Sequence, residues 1–331
     1  MKRIGFVTSP LTSGHAVRGV GFYVKRLLPE LKKQAASLGF EIMEIGNYLE
    51  IRNSKLEIIH YPFFDLFWHT LPIFKPVKTV VTIHDVITLE FPDHYPSGLR
   101  GWFNLQLQKL ALSGVEQVIT DSYASVKSIH KYLGVPHEKL KLVYLAADEK
   151  FKPIKAKSKY KLPDKFVLYV GDVNWNKNIP SLVKACEQIN YQLVIVGKQA
   201  AEVEKLDLNH AELRHLQGVD WSKVMRLGFV SDDDLVAIYN LAKVYCQPSF
   251  AEGFGLPVLE AMACGTAVAC SQTSSLPEIA GEAATYFDPY NVLEMARSLV
   301  KATPRGGQIQ AKKFSWAQTA SQTLDVYQQL L

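Results

Sequence analysis

Pro248-Ser249-Phe250-Ala251-Glu252-Gly253-Phe254-Gly255-Leu256-Pro257-Val258-Leu259-Glu260-Ala261-Met262-Ala263-Cys264-Gly265-Thr266 is the stretch that decides how this chain reads. The apolar run 244–247 leads into it as a buried strand does and ends near Pro248. Two glycines then open a loop. Pro257 sits where a helix begins, and proline is favoured at the first helical position. Strand, glycine loop and helix in that order predict backbone N–H groups of 254–258 pointing out of a helix N-terminus. Such donors, with the helix dipole behind them, attract a phosphate or another electron-rich group. The glycines let a ligand approach the backbone closely. Glu252 and Glu260 flank the loop, Glu252 expected at its mouth and Glu260 in the first helical turn. Carboxylates beside N–H donors suit the vicinal hydroxyls of a sugar.

The rest of the chain repeats the strand–helix rhythm. Upstream, strands are expected at 3–8, 40–45, 57–59, 79–83, 117–120 and 141–145. Helices are expected at 21–38, 99–112 and 124–133, the first with Val24, Leu27, Leu28 and Leu31 on one face. Segment 148–165, rich in Lys and Pro, reads as a linker. The rhythm resumes with strands at 166–170, 191–196, 225–230, 244–247 and 267–271. Helices fall at 179–189, 232–241, 257–263, 292–302 and 315–331. Alternation of this kind implies parallel sheets covered on both faces, so the fold class is α/β. Ligands of such sheets bind at the carboxyl ends of the strands.

Composition agrees. The 331 residues are 48% apolar and 21% charged, which suits about two domains with sizeable cores and excludes a disordered chain. The net charge of +5 is spread without a dense basic stripe, so no nucleic-acid partner is expected. Cys186, Cys246, Cys264 and Cys270 lie in apolar company without a C-x-x-C pair, as reduced core residues do. The opening Met1-Lys2-Arg3 precedes no long apolar core, and no run of about 18 uncharged apolar residues occurs. A cytoplasmic protein is expected, with peripheral contact at the inner face of a membrane as an option. Asp232-Asp233-Asp234 reads as a helix N-cap, not a metal motif.

Taken in order, these motifs resemble glycosyltransferase family 4, the retaining enzymes of GT-B fold, over nearly the whole chain. The central stretch resembles the family's E-x7-E signature. Ser274-Ser275-Leu276-Pro277-Glu278-Ile279-Ala280-Gly281 follows in the usual place. Val170-Gly171-Asp172-Val173-Asn174-Trp175-Asn176-Lys177-Asn178 stands where the donor-phosphate loop does, and Gly19-Val20-Gly21 where the acceptor-side loop does. The resemblance implies two Rossmann-like domains facing each other across a cleft. An acceptor-side domain would cover 1–151 and a nucleotide-sugar domain 152–312, with 313–331 a helix returning to the first.

It also implies residue roles. Glu260 would hold the ribose hydroxyls, and Phe254, Gly255 and Leu256 would offer backbone donors. Glu252 would contact the transferred sugar, Lys177 the diphosphate and His84 the sugar or leaving group, with Asp85 orienting His84. Gly19 and Gly21 would line the donor side of the acceptor domain. Many members carry Arg just before this lysine; here those positions hold Asn176 and Asp172, so Arg18 is a candidate compensating cation. No metal and no cofactor beyond a GDP- or UDP-sugar is implied. His84-Asp85-Val86-Ile87 and Phe91-Pro92-Asp93-His94-Tyr95-Pro96 lean toward mannosyltransferases.

The acceptor is expected to be a glycan or a lipid-linked sugar. The aromatic segment 61–74 offers stacking or lipid contact, and Lys25, Arg26, Lys32 and Lys33 offer charge for an anionic surface. Two other readings share the fold: a nucleotide-sugar-binding protein without efficient transfer, and a phosphorylase or epimerase. A dehydrogenase would need a full G-x-G-x-x-G after a first strand, which the chain lacks.

Overall fold

The apolar runs assemble into two six-stranded parallel sheets, one in each of two compact units. The computed structural model describes residues 1–12, 19–46, 50–51 and 54–331. Met1–Pro92, Pro96–Leu145 and Phe314–Leu331 make the first unit; Asp93–Tyr95 and Ala146–Lys313 make the second.

The first unit holds β1 (Lys2–Val7), β2 (Phe40–Ile45), β3 (Ile58–Tyr61), β4 (Lys78–Thr82), β5 (Gln117–Thr120) and β6 (Leu140–Leu142) in the order β2-β1-β3-β4-β5-β6. Helices α1 (Gly19–Ala35), α2 (Ile87–Glu90), α3 (Gly98–Ser113) and α4 (Tyr123–Leu133) connect them. Val24, Leu27, Leu28 and Leu31 of α1 are all buried, as their three- and four-residue spacing demands. Ser122 caps α4 by accepting the Ser125 N–H at 3.0 Å. Left-handed Gly134, at φ +72°, ends it. The strand order reverses between β1 and β3, which opens a crevice at their carboxyl ends.

The second unit holds β7 (Phe166–Val170), β8 (Gln192–Val196), β9 (Val224–Gly228), β10 (Val244–Gln247), β11 (Val268–Ser271) and β12 (Thr285–Phe287) in the order β12-β11-β10-β7-β8-β9. Its helices are α5 (Ile179–Gln188), α6 (Lys198–Ala201), α7 (Asp232–Leu241), α8 (Leu256–Ala263), α9 (Leu276–Ala280), α10 (Val292–Lys301) and α11 (Gly307–Ala311). Here the order reverses between β7 and β10, paired with Val244 opposite Val167 and Tyr245 opposite Leu168. The loops after β7 and β10 therefore share one switch point, and they carry Lys177 and Glu252. All four cysteines are buried and unbridged.

Three details differ from the sequence reading. Ser231, not the aspartate run, caps α7, its hydroxyl accepting the Asp234 N–H at 3.2 Å. The Lys- and Pro-rich segment is irregular but anchored: Asn240 bonds the Lys152 carbonyl at 3.0 Å and the Ile154 N–H at 2.9 Å, and Lys159 pairs with Asp234 at 2.7 Å. Short β12, α9 and α11 escape the periodicity, because three to five residues hold too little pattern.

The last helix, α12 (Trp316–Leu330), belongs to the first unit. It lies against α1 there, with Leu324 and Tyr327 buried and the Ala317 carbonyl accepting from Gln34 at 3.0 Å.

Candidate active site

In the second unit, β7 delivers the helical turn Trp175–Lys177 and β10 delivers the signature loop. The Lys177 ammonium stands 2.8 Å from both Glu252 carboxylate oxygens, and both side chains are largely shielded. Glu252 Oε1 also accepts from the Ser249 hydroxyl at 2.6 Å and the Gln247 amide at 2.7 Å. The hydroxyl of Tyr245 in turn donates to the Gln247 carbonyl oxygen. Four side chains thus fix one carboxylate, three directly and Tyr245 through Gln247, with the charged partner making the strongest of these bonds.

Asn176, at the position where Arg is common in the resembling family, is buried. Its amide donates to the Ala251 carbonyl at 2.9 Å, and its own carbonyl accepts the Phe250 N–H at 2.8 Å. The Tyr95 hydroxyl donates to its side-chain oxygen at 2.7 Å. Asn176 therefore ties the lysine turn to the glutamate loop, a structural use that leaves this position no charge to offer. Asp172 is exposed. Arg18 lies outside the described residues.

The loop's backbone is set from below. Hydroxyls of Ser274 and Ser275 donate to the Glu252 carbonyl at 2.7 and 3.0 Å, and Ser275 reaches the Phe254 carbonyl at 2.9 Å. Gly255 adopts φ +104°, and an added Cβ would stand 2.9 Å from Leu276 Cδ2, so only glycine fits. Phe254 is buried and Leu256 opens α8. One expected donor is already used: the Val258 N–H bonds the Gly255 carbonyl at 3.0 Å.

Glu260 sits in the second turn of α8, not the first, because the helix begins at Leu256. It accepts the Tyr239 hydroxyl at 2.9 Å. Burial pushes its carboxyl up to about 7, and the Tyr239 bond only partly offsets that.

In the first unit, His84 follows β4 and points Nδ1 at Asp121 Oδ2, 2.5 Å away. The hydrogen-bond partner is Asp121 at the end of β5; the adjacent Asp85 accepts the Ile87 N–H at 3.1 Å and acts on His84 as a further nearby charge. Burial opposes charge on His84, but Asp121 outweighs it and the net direction is up. Asp121 is 2% exposed.

Behind this pair runs a second chain. His60, wholly buried, places Nδ1 2.6 Å from the Tyr327 hydroxyl and Nε2 2.8 Å from Thr82 Oγ1. Thr82 meets the Tyr23 hydroxyl at 3.1 Å, and the Tyr23 ring packs edge-on against His84. Burial pushes the His60 imidazole down to about 3. Gly19 begins α1 with open space around it, and Gly21 is buried in the same turn.

A cavity of about 640 Å³ lies at the β1/β3 switch point of this unit, lined by Val7, Ile45, Tyr61, Phe63, Leu71 and Ile73 among others. Lys32 of the expected basic helix is bonded to Glu44 at 2.5 Å, and Lys33 pairs with Glu30. Among the described residues no cluster of three metal-binding side chains occurs, and no helix is long and apolar enough to cross a membrane.

Known proteins share this sequence and fold. Residues 150–305 match the glycosyl transferases group 1, and 43–151 match glycosyltransferase family 4. O-antigen chain mannosyltransferase B of Escherichia coli is 31% identical over 276 residues, which cover 76% of this chain and 71% of the relative. The chain belongs to glycosyltransferase family 4. This family 4 chain is also 33% identical over 280 residues to the serotype-specific mannosyltransferase WbdA of Escherichia coli, covering 77% of the chain and 34% of the relative. It thus spans about a third of the length of that first curated relative.

Two solved structures share the fold. Sucrose-phosphate synthase from Thermosynechococcus elongatus has a TM-score of 0.73 at 20% identity, covering 100% of this chain and 99% of its own. Anabaena HepE in complex with UDP-glucose has a TM-score of 0.69 at 16% identity, with 99% and 100% covered. The fold is GT-B, built from two Rossmann-like domains.

The family 4 motifs led to Lys177, Glu252 and Glu260 but not to their supports. Ser249 stood in the quoted stretch, and Gln247 just before it, without a role. Asp121, 37 residues from His84, had no local signal beyond its own strand end.

Proposed function

We propose that this chain is a retaining, metal-independent glycosyltransferase that moves a hexose from a nucleoside-diphosphate sugar to a glycan or lipid-linked sugar. The observation that carries the reading is the Lys177–Glu252 pair, fixed by Gln247 and Ser249 at the β7/β10 switch point. A cation held there meets the charge that develops on a departing diphosphate. Breaking the bond between the sugar's anomeric carbon and the diphosphate oxygen leaves that charge. The acceptor hydroxyl then bonds to the same carbon on the same face, and its proton passes to the departing phosphate oxygen.

In this reading Lys177 shares its ammonium between Glu252 and the diphosphate. Glu252 receives hydroxyls of the transferred sugar, and Glu260 the ribose hydroxyls. Phe254, Gly255 and Leu256 present backbone to the donor. Pro257 has no N–H and the Val258 N–H is taken, so at the start of α8 the Leu256 N–H and the loop before it carry this role. His84, whose pKa Asp121 helps to raise against burial, donates to the sugar or leaving group. Gly19 leaves the start of α1 open, and Gly21 lets the next turn pack closely.

Mannose is the favoured sugar, because the relatives that cover most of this chain are named mannosyltransferases. The base is GDP or UDP; HepE was solved with UDP-glucose. The apolar cavity beside β1 and β3 suits the lipid portion of a lipid-linked acceptor.

Release of nucleoside diphosphate from GDP-mannose and a panel of UDP-sugars tests this. Lys177→Ala should lower turnover by about 10²–10³, the scale seen when one stabilising group is lost. Undiminished turnover would remove Lys177 from the mechanism. Tight donor binding without turnover across many acceptors would favour a binding protein, and phosphate-dependent sugar release a phosphorylase.

A further inference from the structure

The surface of α3 is inverted. A helix on a soluble domain buries its apolar residues, yet Leu99, Trp102, Phe103 and Leu110 of α3 face solvent, Leu99 with 90% of its surface exposed. The preceding loop adds Trp68 and Phe74, the latter 74% exposed. Loop and helix form one surface. Asn104 bonds the Phe67 carbonyl at 2.8 Å, and the Lys75 ammonium binds the carbonyls of Pro72, at 2.6 Å, and Ala111. The Arg100 guanidinium lies 5.2 Å from the Trp68 ring centre, covering it. Exposed clusters of this kind mark contact sites.

Charge selects the partner. Segments 66–77 and 96–114 contain no Asp or Glu, while Arg100 and Lys109 stand on α3 itself. An exposed apolar stripe with tryptophans and cations, and no acid, matches the interface of an anionic bilayer. There indole rings settle at headgroup depth and each cation near the surface adds attraction. The surface borders the apolar cavity: Ile73 of the same loop lines it.

We propose that α3 and loop 66–77 form a docking face for an anionic membrane surface, with α3 lying in its plane. This face is distinct from the basic α1 considered from sequence, where Lys32 is already engaged by Glu44. It stands whether or not the chain transfers sugar, and its test is separate. The full chain should co-sediment with phosphatidylglycerol-containing vesicles at low salt and much less with phosphatidylcholine alone.

A double variant, Trp102→Ser with Phe103→Ser, removes two exposed rings, so it should fold and keep its release of nucleoside diphosphate from soluble donor. Its partition onto anionic vesicles should fall at least tenfold, and 0.5 M salt should weaken parental binding because screening shortens the reach of Arg100 and Lys109. Absence of parental binding to anionic vesicles overturns the proposal, as does binding the variant leaves unchanged. So does parental self-association in sedimentation velocity that the variant abolishes, since a second copy would then own the face. Should the double variant misfold by circular dichroism, Phe74→Ser alone decides on the same criteria.

Discussion

The two units solve one problem twice, and differently. Each is a six-stranded parallel sheet with a crevice where the strand order reverses. In the second unit the crevice is polar, and its Lys177–Glu252 pair keeps a small part of each side chain open to solvent. In the first unit the crevice is apolar, and its polar groups lie beneath it as the chain His60, Thr82, Tyr23 and the pair His84–Asp121. The second unit therefore offers charge to a ligand directly. The first holds one histidine, His84, whose pKa the buried Asp121 helps to raise.

That contrast breaks first at Asp121. Removing its charge in Asp121→Asn leaves burial as the main influence on His84, so the imidazole should lose its proton at lower pH. Turnover should fall by about 10–100-fold, the cost of losing an orienting partner. The alkaline limb of the pH–rate profile should move to lower pH, while donor affinity, a property of the other unit, stays unchanged. An unmoved limb would show that Asp121 supports His84 only as packing.

The same residue measures what sequence can and cannot tell. Strand ends and the glycine loop are local, so Glu252 and Glu260 could be singled out from pattern and spacing, and Lys177 from the resemblance to the family's donor-phosphate loop. The partner of His84 was not, because Asp85 and Asp121 both follow strands, and adjacency favoured the wrong one. Only the parallel pairing of β4 with β5, Thr82 opposite Ile119, brings their carboxyl ends side by side. His60 gave no signal at all, since its partner Tyr327 is 267 positions away. Asn176 looked like a missing cation and proved to be a fastener between two loops. Sequence reads what the backbone does within one strand–loop–helix; it does not read which loops a sheet will bring together.

A smaller effect sharpens the contrast through pH. Glu260 is raised from 4.5 to about 7, so the folded unit binds the extra proton between those values and stability falls as pH rises across the window. Glu260→Gln should lift that cost, stabilising the protein at pH 8 by about 1–3 kcal/mol and flattening the slope. His60 is lowered from 6.5 to about 3, so the unfolded chain binds the extra proton and stability falls as pH drops below about 6.5. Glu260 thus weakens its unit toward base, and His60 weakens its unit toward acid. Melting curves of parent and variant from pH 4.5 to 8 check this. A Glu260→Gln difference that does not grow toward pH 8 would mean that water already solvates the carboxylate.

The smallest effect tests whether the last helix serves the first unit's polar chain. Tyr327 is fully buried, and its hydroxyl lies 2.6 Å from His60 Nδ1. Tyr327→Phe keeps the ring, so α12 loses no packing against α1. It leaves one imidazole nitrogen unpaired in a site without water access, which costs about 1–3 kcal/mol. The ring is then held by Thr82 alone, and Thr82 is the group that also meets Tyr23, whose face supports His84. Stability should drop by that amount, and turnover should fall about two- to fivefold with donor affinity intact. Thr82→Val should match the turnover loss, because it cuts the same chain one link nearer to His84. If Tyr327→Phe costs stability but no turnover, the helix is a buttress only, and His84 rests on Asp121 without it.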